Sequence, residues 1–260
     1  MRCGVARAMA AAGIALCALA ARPAASASGP ATPGLFIGSE AAVFLGAGQV
    51  DLACGDVEVT GKLLGDAGIL TGVGNFVVQP GASVYGGTSA IDLAGSFSQQ
   101  GEFAAENGSV QLTDGCGITS AAIFGSSTFA SLSLSTAAGK TWAFEAGSTQ
   151  TVTQSLDMSG APTGKLLVRS TVDGVAANLA LLPGASQSTA DLDVKDDHAV
   201  GEPILFGNGS VDSGNTDGWV WSIVNVPAAP AAGVALLALS LASMGAAALR
   251  RRGARTPAVR

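Results

Sequence analysis

The chain is short of the groups that most catalytic sites draw on. It has one histidine and one tyrosine, and only 12% of its 260 residues are charged. A Ser-His-Asp or Cys-His nucleophile system would have to run through His198. No Gly-x-Ser-x-Gly elbow accompanies that histidine, which stands in a polar, Asp-rich turn, so an exposed, non-catalytic role is expected of it. Clusters of Cys and His with zinc spacing are missing as well. Glycine strings such as Gly72-Val73-Gly74 have neither the strand–turn–helix setting nor the following Lys of a phosphate loop, and read as corners. Basic residues are scarcest in the middle. Arg2, Arg7 and Arg22 precede residue 28, and Arg250, Arg251, Arg252, Arg255 and Arg260 follow residue 249, which leaves residues 28–226 with five basic residues against all 19 acids, a formal net charge of −14. That excludes nucleic acid and anionic lipid as partners of this section, because phosphate binding relies on Lys and Arg; cations, basic surfaces and neutral glycans stay open.

Long apolar runs occur only at the two ends. Arg2 and Arg7 precede the run Ala8–Ala21, and Ala25-Ser26-Ala27 follows as a small-residue cleavage signal. Residues 1–27 therefore read as a signal peptide with a helical apolar region, cleaved after Ala27, and the protein as exported. After removal of the leader, with its Cys3 and Cys17, only Cys54 and Cys116 remain. In an oxidising compartment they can form a disulfide, worth roughly 4 kcal/mol for a loop of about 60 residues in the chain-entropy model; two unpaired buried thiols are the alternative. At the other end, residues 231–249 carry no charge. As a helix they would measure roughly 28 Å, close to the ~30 Å hydrocarbon core of a bilayer. Arg250, Arg251 and Arg252 hold the far side in the cytoplasm, and residues 253–260 form a cytoplasmic tail. The few leucines (Leu236, Leu237, Leu239, Leu241, Leu249) make this a marginal span, adequate for transient or permanent inner-membrane anchoring.

Between the ends no window of ten residues keeps a 3.6-residue apolar period, whereas short alternating runs recur. Residues 57–60, 76–79, 109–112, 131–134, 142–144 and 151–153 each place apolar side chains on one face. Turn formers separate them: Gly61, Pro80-Gly81, Gly86-Gly87, Asn107-Gly108, Ala138-Gly139, Ala146-Gly147, Pro183-Gly184 and Gly214-Asn215. The expected class is all-β. One Tyr, three Trp and nine Phe leave little to fill a thick sandwich core, and small residues dominate the corners, so a parallel β-helix, or solenoid, is favoured over a β-sandwich. No strict repeat length is evident, and the number of coils stays open.

Two segments resemble known families. The run FASLSLSTAAGKTWAFEAGSTQTV from Phe129, followed by DLDVKDDHAV from Asp191 and NGSVDSGNTDGWVW ending at Trp221, resembles a module of bacterial adhesin-like surface proteins. That resemblance implies a right-handed parallel β-helix. Asp197-His198 replaces the usual small polar residue, and Ala190 a usual aromatic. Residues 90–125 continue the style, so 90–222 is the firmest solenoid segment within a secreted domain of residues 28–226, while residues 30–90 share only its composition. Val226-Pro227, then Pro230, the apolar run and Arg250 to Arg252 resemble the PEP-CTERM class of C-terminal sorting signals, with Ala228-Ala229-Pro230 in place of the usual Glu-Pro. Residues 227–252 then form the sorting segment. The resemblance implies an exosortase-like transpeptidase as partner, exopolysaccharide or other surface proteins as neighbours, and a place in the cell envelope, at the cell surface or outside the cell.

Candidate chemistry is sparse. If Asp191 and Asp193 share one strand face, their carboxylates could bind Ca²⁺ or act as an acid/base pair in a pectin-lyase-like cleft; the plainer expectation is a solvent-facing edge, with Asp196-Asp197 as its corner. Asp212 to Gly218 does not follow EF-hand spacing and reads as an Asx-turn closing the last coil. Asn107-Gly108-Ser109 and Asn208-Gly209-Ser210 match a glycosylation acceptor, though Asn-Gly is also a favoured turn. Trp142, Trp219 and Trp221 form either a sugar-stacking platform or, for the last two, a cap on the final coil. No cofactor is expected, and the function read from the sequence is that of a non-enzymatic, displayed surface or matrix protein. A polysaccharide-active enzyme or carbohydrate-binding module is the alternative.

Overall fold

The computed structural model describes residues 34–221, and within them the chain is strand and turn throughout, with no helix. Alternation sets the architecture. Val57 and Val59 are buried on either side of Glu58, and Val110 and Leu112 on either side of exposed Gln111. A strand with one apolar face needs that face covered. The chain covers it by winding, so that the same face of every strand points inward and every strand pairs with the equivalent strand one turn later.

The result is a parallel β-solenoid of about 8 turns. One wall runs through Leu35–Ile37, residues 57–59 and 76–78, then Phe97–Gln99, Ser120–Phe124, Thr141–Phe144, Leu166–Ser170, Leu192–Val194 and Val211–Asp212. A second wall starts as Ala42–Phe44, Lys62–Leu64, Ser83–Tyr85 and Glu102–Ala104 and is taken up by residues 128–129, 151–152, 180–181 and 200–201. The third passes from residues 49–51 and 69–70 through Ala90–Leu93 and Ser109–Leu112 to 131–135, 155–159 and Ser186–Ala190. Beyond it, Ile204–Phe206 pairs with Trp219–Trp221. Every strand pairing is parallel, which rules out the antiparallel sandwich considered above.

The repeat missed in the sequence is regular in the first half. Ala42, Lys62, Ser83 and Glu102 are successive register partners, 19 to 21 residues apart. The corner that follows each of these strands takes one left-handed residue, Gly46, Asp66, Gly87 or Glu106, with φ between 48° and 62°. These corners bond along the stack: Ala67 N–H donates to Gly46 O, Thr88 N–H to Asp66 O and Asn107 N–H to Gly87 O. From Ser131 onward, partners in the third wall are 24 and then 31 residues apart, as Ser155 and Ser186. The extra residues swell corners and leave the walls intact.

Inside, Phe76, Phe97, Phe103 and Phe129 make one aromatic cluster with ring centroids 5.1–5.7 Å apart. Aliphatic columns from all three walls surround it, each buried Leu, Val or Phe contributing roughly 1.5–3 kcal/mol. On the corner between the third and first walls, Cys54 and Cys116 form a disulfide with Cα atoms 5.5 Å apart. The signal peptide and the C-terminal apolar segment lie outside the described residues.

Candidate functional site

The acidic residues are the natural place to look for chemistry, and the solenoid has already engaged many of them. Each turn leaves backbone N–H groups at its corners without a ladder partner, and buried or half-buried N–H groups need one. Carboxylates provide it. Asp56 Oδ1 accepts from Asn75 N, Glu106 Oε2 from Gly87 N, Asp114 Oδ2 from Ala137 N and Ala138 N, Glu145 Oε2 from Gly125 N, and Asp196 Oδ2 from Gly174 N. Each bond links neighbouring coils. Burial pushes the Asp114 carboxyl up, but the donors at Ala137, Thr136 and Ala138, with the Lys140 ammonium, outweigh it and hold the group below the usual range. Asp196 is also held low, first by the Asn215 amide and then by Gly174 N–H.

Asp191 and Asp193 do not form a carboxylate pair on one strand. Asp191 occupies the bend before Leu192–Val194 with φ 52°, and its carboxylate lies 3.7 Å from Lys165 Nζ. Asp193, within the strand, is 3.0 Å from Arg169 Nη2 and accepts from Ser213 Oγ at 2.7 Å. Each carboxylate thus has its own cation, which leaves little basis for an acid/base couple. Among the described residues no three His, Cys, Asp or Glu side chains come together as metal ligands would.

What the structure brings together instead is the pair of late motifs. The segments 193–198 and 212–219 lie side by side and interlock. Besides the Asp193–Ser213 bond, Asn215 Nδ2 donates to Asp196 Oδ1 at 2.8 Å, Trp219 Nε1 donates to Asp197 Oδ1 at 3.1 Å, and His198 Nε2 lies 3.0 Å from Asn215 Oδ1. Asp212 Oδ1 accepts from Gly214 N at 2.9 Å and from Thr216 Oγ1 at 2.8 Å, the Asx-turn that shapes the final corner. His198 is 4.0 Å from the exposed Asp217, and among the described residues no Ser, Thr or Cys side chain is hydrogen-bonded to its ring. Asp197 differs from its neighbours: it is fully buried, its Oδ2 has no hydrogen-bond partner, and burial pushes its carboxyl up to about 8 against the pull of the Trp219 N–H.

The three tryptophans do not make one platform. Trp142 is completely buried in the first wall. Trp219 and Trp221 both pack on Phe206, with centroids 5.2 and 4.7 Å away, Trp219 buried and Trp221 56% exposed. They close the last coil. Beside them, Gln187, Ser188, Thr189, Leu205, Gly207 and Asn208 line a shallow depression of about 300 Å³. Its polar side chains are partly spent on the fold, since the Gln187 amide accepts from Leu205 N and donates to Pro203 O, and Thr189 Oγ1 donates to Leu205 O.

Two buried polar residues escaped the sequence reading. Lys140, in the Gly-Lys-Thr stretch, is almost wholly buried; its ammonium donates to Ala94 O and to Thr113 O and lies 4.4 Å from the Trp142 ring. Gln150 donates to Gly125 O at 2.6 Å and accepts from Ser127 N at 3.2 Å. Their signal was no more than a Lys at the corner before Thr141–Phe144 and a Gln at an inward-facing place of Thr149–Ser159, and the carbonyls they serve are 25 to 46 residues away.

The sorting residues Val226, Pro227, Pro230, Arg250, Arg251 and Arg252 and the cleavage residues Ala25 and Ala27 lie outside the described residues. No protein-family model, curated protein or solved structure matches the chain.

Proposed function

We propose that this is a non-enzymatic, exported bacterial surface or extracellular-matrix protein, a right-handed parallel β-helix displayed through a C-terminal sorting signal of the PEP-CTERM kind. The observation that carries this reading is the Cys54–Cys116 disulfide within the solenoid. Disulfides form and persist in oxidising compartments, the destination to which the leader ending at Ala25-Ser26-Ala27 points. The use of acids as corner caps supports a structural role over a catalytic one. The segment from Val226-Pro227 through the apolar run to Arg250, Arg251 and Arg252 halts export, and an exosortase-like transpeptidase then removes it, leaving the solenoid on the cell surface or in an exopolysaccharide matrix with an adhesive or structural task.

Fractionation of the native host, with mass determination of both mature termini, tests the proposal. A chain beginning near Ser28, ending between Val226 and Arg250 and found in the envelope or outside the cell is expected. A chain still ending at Arg260 would rule out the processed tail, and a chain in the cytoplasm with free thiols would rule out export. Polysaccharide cleavage by the purified solenoid, lost when Asp191 and Asp193 become Asn, would replace the structural reading with an enzymatic one.

A further inference from the structure

The last coil is attached to the stack differently from the others. Trp219–Trp221 pairs only with Ile204–Phe206, and Val211–Asp212 meets Leu192–Val194 through two residue pairs. Backbone bonds from Asp191 N to Asn208 O, Ser213 N to Val194 O, Asp196 N to Gly214 O and Ala199 N to Asp217 O add to this at the corners, and the rest is the side-chain clasp, whose innermost bond runs from Trp219 Nε1 to Asp197 Oδ1 at 3.1 Å. Asp197 stands in register with Ala177 of the preceding coil, has no exposed surface, and leaves Oδ2 unpartnered. A lone ionised carboxylate in such a place is costly, while a neutral carboxyl is tolerated.

Among the described residues no charge on the surrounding elements compensates it. On its own segment Lys195 pairs with Asp173, Asp196 bonds to Gly174 N and Asn215, and His198 turns to Asn215 and Asp217. From the preceding coil Arg169 is engaged with Asp193, and from the final corner Asp212 is engaged with Gly214 and Thr216. Among the described residues only the indole N–H of Trp219 reaches the Asp197 carboxyl.

We infer that Asp197 is a proton-operated latch for the last coil: neutral, it holds Trp219 and residues 207–221 on the stack, and ionised, it releases them. The sense follows from linkage. The docked carboxyl titrates at about 8, whereas in the released coil it returns to the ordinary range near 4. Docking is therefore strongest below pH ~4 and weakens as pH rises towards 8, and above 8 both states are ionised and the dependence stops. Release uncovers Phe206, which packs against both Trp219 and Trp221 in the docked coil.

Hydrogen exchange on the oxidised full-length chain tests this, with rates corrected for the intrinsic effect of pH. Protection of residues 207–221 is expected to fall about tenfold per pH unit between pH ~5 and ~8 and to level off above that. Asp197→Asn, which keeps an acceptor for Trp219, should abolish the slope. Trp219→Phe removes the one bond that favours the ionised form, so its slope should persist and level off at higher pH. The latch is overturned if Asp197→Asn retains the slope, if the wild-type protein shows none, or if the coils at 57–112 lose protection in parallel.

Discussion

Cys54 and Cys116 reach past two intervening corners, at residues 71–75 and 94–96, to bring their Cα atoms to 5.5 Å. The crossing is close to the corners beneath it: a Cβ on Gly74 would lie 2.7 Å from Cys54 O, and one on Gly115 would lie 3.2 Å from Ala94 Cβ. The bond ties the start of the second coil to the start of the fifth. For a sequence separation of 62 residues the chain-entropy model gives about 4 kcal/mol. Strand pairing in a solenoid runs only between neighbouring coils, so the loss is regional. In a Cys54→Ser, Cys116→Ser variant, hydrogen-exchange protection should drop across residues 35–112 and hold across 141–206. An even loss along the whole chain would reject the strap.

Lys140 gives a second expectation. Burial lowers its ammonium's pKa and Asp114 works against that, so the charge is held by two carbonyls, the Trp142 ring and one carboxylate at a distance. Lys140→Met keeps most of the apolar stem but leaves Ala94 O and Thr113 O unsatisfied, a loss of about 3 kcal/mol. Lys140→Ala adds a cavity beside Trp142 and should lose about 2 kcal/mol more. Urea denaturation followed by far-ultraviolet circular dichroism measures both. Equal stability of Lys140→Met and wild type would mean that the two carbonyls are served by other donors.

The corner carboxylates set the behaviour in acid. Asp114 and Asp196 titrate below the usual range in the fold, so as the pH falls the unfolded chain takes up protons first. The stability they contribute is complete above pH ~4 and is lost as pH drops through and below that value. Asp197 acts in the opposite sense, so the acid limb is read best in the Asp197→Asn background. There, Asp114→Asn should flatten the decline in melting temperature between pH 5 and 2, and an unchanged slope would remove Asp114 from the account.

The alternation of residues such as Val57, Glu58 and Val59 made the strands legible in the sequence, and the scarcity of aromatics pointed to a solenoid. The 20-residue repeat at 42–106 was hidden because the winding asks little of side-chain identity. Position 43 of one coil becomes Leu63, Val84 and Phe103 in the next three, and the left-handed corner is Gly46, then Asp66, Gly87 and Glu106. Any apolar side chain fills the first place, and any residue that tolerates positive φ fills the second. The clasp was hidden for another reason. Asp197 and Trp219 were each visible, but their pairing depends on two consecutive coils lying in register 22 residues apart, which no local pattern encodes. For Asp191 and Asp193 alternation offered a shared strand face as the alternative to a plain solvent-facing edge, and the left-handed bend that puts Asp191 ahead of the strand Leu192–Val194 was not legible in that pattern.

Gly61 tests the register of the first two coils directly. A Cβ there would lie 2.1 Å from Gly38 O and 2.3 Å from Ala41 O, both backbone atoms of the preceding coil, which cannot swing aside as a side chain would. Thr60 N–H and Gly61 N–H donate to Ile37 O, and Lys62 N–H to Ala41 O, so any relief of the clash stretches three bonds between coils. Gly46 is the control. Its φ of 59° penalises a side chain, but nothing stands within 4 Å of the added Cβ. Gly46→Ala should lose about 1 kcal/mol, the cost of the left-handed backbone, and Gly61→Ala about 3 kcal/mol or more, since both corners must move. Hydrogen exchange of residues 35–64 separates the two variants. If Gly46→Ala proved the more damaging, the close stacking of Gly61 on Gly38 and Ala41 would be wrong, and with it the register between Ala42–Phe44 and Lys62–Leu64.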